Sequence, residues 1–221
     1  TIESGTSWSN MSGHICPNLS GYWLAYEESA QGKARKVNRL FSTTVDEFVF
    51  NDGSTGETSV AILPNGRIFI FYVDEADSNK GKFVILDMNG NFIKTETEFS
   101  SQTVDKVSAA PLGEDKVVVA YIDQTAGATD DVLYYRVFSC DGTSVVAETD
   151  KRTEESIFSV SATPLYGGGV AFFFMTEDSD VEQTLRVVKV KCDGSSTVAS
   201  SLLEDAQLTQ EEANSSKITA R

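Results

Sequence analysis

One histidine, three cysteines and four prolines are all that this chain of 221 residues holds of these types, and each shortage removes a class of function. His14 would be the sole base of any Ser-His-Asp triad, and it reads as lying at a strand end, so triad chemistry is set aside. Cys16, Cys140 and Cys192 form no C-x-x-C pair and no Cys/His cluster, which excludes a zinc site of the usual kind. Their odd number leaves at least one thiol free or paired outside the chain. Basic residues are also scarce: 18 Lys and Arg stand against 33 Asp and Glu, a formal charge of −15. Nucleic-acid binding needs clustered Lys and Arg, and anionic membranes attract the same residues, so neither is an expected partner. No apolar run approaches the roughly 18 residues of a membrane-spanning helix. No P-loop or dinucleotide fingerprint occurs.

What is present is a repeat. Pro17, Pro64, Pro111 and Pro164 recur at intervals of 47, 47 and 53 residues, close to the length of a propeller blade. A short run of small residues precedes each proline, as in Val107-Ser108-Ala109-Ala110 and Val160-Ser161-Ala162-Thr163. A glycine follows within a few residues (Gly21, Gly66, Gly113, Gly167), marking a tight turn. Next comes an apolar, aromatic-rich run such as Ile68-Phe69-Ile70-Phe71-Tyr72 or Val117-Val118-Val119-Ala120-Tyr121, which suits a strand buried on both faces. Each run breaks into an acidic loop. A third run ends at Asn89-Gly90, Asp141-Gly142 or Asp193-Gly194, strong hairpin signals, with Ser42-Thr43-Thr44 in the first unit instead. A fourth, more polar strand closes each unit.

Four strands per unit, repeated radially, predict an all-β, β-propeller-like domain of four antiparallel four-stranded blades. The expected parts are an N-terminal arm (1–9), blades at about 10–52, 53–100, 101–152 and 153–205, and a surplus C-terminal strand at 215–221. That strand could close the ring with the N-terminal segment, begin a fifth blade, or add to a neighbouring subunit's sheet. Residues Val107 to Glu148, with Arg136-Val137-Phe138 and Asp141-Gly142, resemble the roughly 50-residue repeats of large secreted bacterial proteins. The resemblance implies an extracellular, adhesive context. The turn Ser139-Cys140-Asp141-Gly142-Thr143 is similar in part to the Asp-box of sialidase propellers, without its following glycine and tryptophan.

Several constellations could carry chemistry. Asp74, Asp77, Asp178 and Asp180 offer closely spaced oxygen ligands suited to calcium, the one cofactor considered, though no D-x-D-x-D-G loop is present. The alternative is a solvated acidic rim. Trp8, Tyr134, Tyr135 and Tyr166 are candidate sugar-stacking platforms, with core packing the competing role. Asn10, Asn18 and Asn214 head N-x-S/T sequons near the termini. The expected function is a non-enzymatic extracellular structural or adhesive module, joined to other copies or other extracellular proteins. The alternatives are a glycan-binding propeller lectin and a propeller-type glycoside hydrolase, whose reaction needs two placed carboxylates.

Overall fold

The computed structural model describes residues 9–16, 20–123, 131–152, 156–177 and 183–199. The first unit holds β1 (Ser9–Ile15), β2 (Tyr22–Glu28), β3 (Gln31–Val37) and β4 (Thr43–Asn51). The second holds β5 (Thr55–Ile62), β6 (Ile68–Asp74), β7 (Lys80–Leu86) and the first part of β8 (Phe92–Leu112). The third takes the rest of β8 with β9 (Lys116–Asp123), β10 (Val132–Ser139) and β11 (Ser144–Arg152). The fourth holds β12 (Ser156–Pro164), β13 (Val170–Glu177), β14 (Gln183–Val190) and β15 (Ser196–Ala199). Every pairing is antiparallel between sequential strands, so the chain is all-β and propeller-like. No helix among the described residues is long and apolar enough to cross a membrane.

The sequence predicts four separate sheets, and the described residues form three, of four, seven and four strands. β8 explains the difference. Its first part, up to Thr103, pairs with β7, and from Val104 it pairs with β9. No glycine or proline lies between Phe92 and Ala110 to break it. The first and second units are instead separated at Asp52-Gly53. Sheet closure into a ring is not seen among the described residues.

Burial follows the two-residue period of a strand. On β6, Phe69, Phe71 and Val73 pack toward the third unit, while Ile68, Ile70 and Tyr72 pack toward the first. On β9, Val117, Val119 and Tyr121 join the same cluster as Phe69, and Val118, Ala120 and Ile122 join Phe172 and Phe174 of the fourth unit. Each second strand is thus buried on both faces by its neighbours, which is why its sequence reads as an unbroken apolar run. At the outer ends of the series the first strands are less well covered: Met11 and Ile15 on β1 are exposed and Phe158 on β12 is half-buried, as is Phe173 on β13.

Two devices recur. Ser12, Ser59, Ser108 and Ser161 hold the same register position on the inner strands, opposite Ala25, Phe71, Ala120 and Phe173. Ser59 Oγ accepts the Ala109 N–H of the next unit at 2.9 Å, and Ser108 Oγ accepts the Ala162 N–H at 2.9 Å. The second device is a Tyr–Glu clasp. Tyr26, Tyr72 and Tyr121 donate to Glu47, Glu96 and Glu148, each at an irregularity of the fourth strand. Burial, reinforced by the adjoining carboxylate, pushes all three phenols far above their usual range. Arg136 of the R-x-F pattern donates to the Phe99 carbonyl at 2.6 Å and lies over the Phe138 ring, so that motif serves packing.

The first unit's third hairpin corrects the sequence reading. It lies at Asn38–Ser42, where the Asn38 side chain accepts the Leu40 and Ser42 N–H groups and Phe41 takes the left-handed position of Gly90, Gly142 and Gly194. Another strained turn joins β2 to β3, where Ser29 (φ 55°) and Ala30 (φ 58°) lie between the paired Glu28 and Gln31. Left-handed backbone costs a residue with Cβ roughly 1–2 kcal/mol. Ala30→Gly is therefore expected to stabilise the fold by about 1 kcal/mol, a rise of about 2–4 °C in Tm at this chain length. An unchanged or lower Tm in a thermal melt would refute that account of the turn.

Candidate active site

The sheet register gathers the acidic strand ends on one face. Ser9 lies opposite Glu27, Thr55 opposite Asp74, Val104 opposite Asp123 and Ser156 opposite Glu177, so each inner strand begins beside an acidic end. Each inner strand is also irregular just inside that point. Bulges re-aim side chains and are common next to active sites. Two residues before the recurrent serine, the inner strands carry Asn10, Glu57, Lys106 and Ser159. Four different chemistries at one repeated position make a single asymmetric site rather than four copies of one.

The centre of this site spans three units. The Lys106 ammonium lies 3.4 Å from Glu57 of the second unit and 3.5 Å from Asp105 beside it. Asp131, at the foot of β10, is buried, and its Oδ2 accepts the Ile157 N–H of the fourth unit at 3.0 Å. Asp123, also buried, ends the neighbouring strand. Burial pushes the Asp131 carboxyl above the ordinary aspartate value, and the charges of Asp105 and Asp123 push it the same way, against the Ile157 hydrogen bond. The shift runs opposite to that of the turn aspartates. Asp87, Asp141 and Asp193 are all pulled down, by the side chains of Asn91, Ser139 and Ser195 first and by backbone N–H groups next.

The sequence-predicted site residues are not brought together here. Asp74 and Asp77 converge on Lys82, whose Nζ lies 2.7 Å and 2.8 Å from them and 3.0 Å from Glu96. The ammonium occupies the position between the carboxylates that a calcium ion would take. Burial alone would lower the Lys82 pKa, but its hydrogen bonds to Asp74, Asp77 and Glu96 outweigh this and raise it. Asp178, Asp180, Trp8, Asn18 and Asn214 lie outside the described residues. Tyr134 stacks on Tyr121 at 5.6 Å, Tyr135 is a core residue, and Tyr166 stands fully exposed. Asn10 uses its amide nitrogen to donate to the Thr55 carbonyl at 3.0 Å and to Glu27 at 3.3 Å, so this sequon nitrogen is engaged within the fold. Cys16 is buried, Cys140 half-buried and Cys192 exposed, all as free thiols.

The residues missed in the sequence were Glu57, Asp105, Lys106 and Asp131. A signal for Glu57 and Lys106 existed. Aligned on the recurrent serine rather than on proline, the inner strands agree at the serine and differ two residues before it.

No protein-family model matches this chain, and no curated protein matches it. Solved structures do match its fold. The NanB sialidase from Streptococcus pneumoniae is 12% identical with a TM-score of 0.62 over 86% of this chain, which spans only 32% of that protein. An endo-1,4-beta-xylanase from Bacteroides thetaiotaomicron is 11% identical with a TM-score of 0.59, covering 88% of this chain and 76% of its own. The alpha-L-arabinofuranosidase PaAbf62A from Podospora anserina, in complex with cellotriose, is 10% identical with a TM-score of 0.53, covering 96% and 73%. These likenesses place the chain among propeller-like folds. They also correct the expectation of a non-enzymatic adhesive module: the scaffolds it is similar to are those of glycoside hydrolases. That expectation rested on a resemblance at one repeat unit, which does not describe the carboxylates at the acidic face.

Proposed function

We propose that the chain is a glycoside-hydrolase-type propeller, with its site on the acidic face between the second, third and fourth units. Asp131 supports this reading above all: a buried carboxyl, destabilised as an anion by Asp105 and Asp123, is what a general acid for glycosidic-bond cleavage requires. In this reading Asp131 gives its proton to the leaving glycosidic oxygen. Glu57, ion-paired with Lys106 on the adjoining inner strand, takes the proton of the water that attacks the anomeric carbon. The surroundings suit a neutral glycan. The chain has seven arginines and a charge of −15, a poor setting for an anionic sugar such as sialic acid. In this reading the scaffold has four blades and the protein works outside the cell.

The test is hydrolysis of 4-nitrophenyl α-L-arabinofuranoside, xylan, arabinan and sialyllactose by the purified protein. Release of pentose with no release of sialic acid is expected. Glycan binding without turnover would replace this reading with a lectin, and neither binding nor turnover would remove both.

A further inference from the structure

Asn10 is the first unit's member of the repeated position that supplies Glu57 and Lys106, and its backbone is strained. It lies at the irregularity of β1 between Ser9 and Ser12, with φ 52°. Residues with a Cβ rarely take this left-handed conformation, and asparagine tolerates it better than most. Such strain persists only where the surroundings hold it, and it gathers at ligand clamps. Here three hydrogen bonds hold it. The Thr58 hydroxyl donates to the Asn10 carbonyl at 2.6 Å, and the Asn10 amide nitrogen donates to the Thr55 carbonyl at 3.0 Å and to Glu27 at 3.3 Å. The amide's two N–H groups are thereby spent, while its oxygen, Oδ1, accepts from no partner among the described residues. Thr55 and Thr58 also bracket the irregularity of β5 in which Glu57 lies. Asn10 is therefore anchored on both sides of Glu57 from the preceding unit, as Lys106 reaches Glu57 from the following one.

We propose that Asn10 is a specificity-determining residue of the acidic-face site, its Oδ1 accepting a hydrogen bond from a hydroxyl of the sugar bound beside Glu57. The assignment rests on the glycosidase reading above and adds the first unit to that site. The chemistry of the position selects a hydroxyl. An anionic group offers Oδ1 no hydrogen and meets the charges of Glu27 and Glu57. A cation is better served by those carboxylates than by a neutral amide. A sugar hydroxyl donates without carrying charge. Because the side chain is already fixed by both of its N–H groups, it gives up little rotamer freedom when the sugar binds. If the three bonds served only to tie β1 to the second unit, their loss would lower stability without making catalysis depend on any one substrate hydroxyl.

The test uses 4-nitrophenyl α-L-arabinofuranoside or 4-nitrophenyl β-D-xylopyranoside, whichever the whole protein turns over, together with its monodeoxy analogues. Asn10→Gly keeps the left-handed backbone without strain. It is expected to raise KM about 10-fold and leave kcat and its pH profile unchanged, the signature of lost uniform binding. The decisive comparison is across substrates. In the unaltered protein one deoxygenation should lower kcat/KM about 10-fold, and in Asn10→Gly the same deoxygenation should cost nothing further. Asn10→Asp, which also tolerates that backbone and keeps an acceptor oxygen, should retain the penalty. Its disappearance in Asn10→Asp would overturn the assignment even if Asn10→Gly did not fold. Equal sensitivity of Asn10→Gly and the unaltered protein to every deoxygenation would overturn the assignment and leave the glycosidase reading standing. No turnover of either glycoside, of xylan or of arabinan by the unaltered protein would remove that reading and the assignment together.

Discussion

Asp131→Asn is expected to lower kcat for glycoside hydrolysis by about 10²–10⁴-fold, the usual contribution of a general acid, while making the folded protein more stable at neutral pH. Asparagine keeps an oxygen for the Ile157 N–H, so the contact between the third and fourth units survives. It removes the charge that burial, Asp105 and Asp123 oppose. The sign follows from linkage. A carboxyl whose folded pKa lies above its unfolded value of about 3.9 contributes stability only below that value and loses it as pH rises. The variant and the parent should therefore melt alike near pH 3, and the variant should melt progressively higher as pH increases toward 7. Removal of a merely structural acid would lower Tm, and removal of a surface acid would change neither property. Equal loss of stability and activity would assign Asp131 to packing.

Lys82→Ala is expected to destabilise the fold by about 3–5 kcal/mol, because it strands buried carboxylate charge. Lys82 is 6% exposed and Asp74 4%, and the ammonium is the shared partner of Asp74, Asp77 and Glu96. Chemical denaturation should show a lower midpoint with an unchanged slope. The exposed pair of Lys116 and Asp115, 3.1 Å apart, gives the control: Lys116→Ala should cost about 1 kcal/mol or less. The clamp also has a pH window. The folded pKa of Asp77 is lowered, chiefly by its hydrogen bond to Lys82, so its contribution is present above about pH 4 and is lost as pH falls. The pKa of Lys82 is raised, so its contribution is present below about pH 10 and is lost as pH climbs further. Comparable losses from Lys82→Ala and Lys116→Ala would contradict the clamp.

Much of the fold was legible because local chemistry decides it. Glycine at left-handed hairpin positions, as at Gly90, Gly142 and Gly194, marks turns in sequence as clearly as in space. The unbroken run Ile68–Tyr72 announced a strand covered on both sides, and the structure divides it between two clusters. The fusion of two units through β8 was legible only as an absence, the lack of any breaker between Phe92 and Ala110, and it was read instead as a boundary near residue 100.

The site was far less legible. Asp131 sits in an acidic stretch that reads as solvated loop, and its burial depends on Ile157, 26 residues further along and in another unit. Asp74 and Asp77 drew attention as metal ligands because acidic spacing is visible in a sequence, whereas Lys82 is revealed as their counter-ion only by the pairing of β6 with β7. Lys106 and Glu57 lie 49 residues apart and meet only because neighbouring inner strands run side by side.

The most direct test is the titration of Asp131 itself, followed by carbon-13 NMR of protein labelled at aspartate carboxyls, with Asp131→Asn assigning the signal. Asp131 is expected to take up its proton above the ordinary aspartate value of about 3.9, and its titration to shift downward in Asp105→Asn. A carboxyl that titrates at or below that value, unaffected by Asp105, would contradict the assignment of Asp131 as the acid.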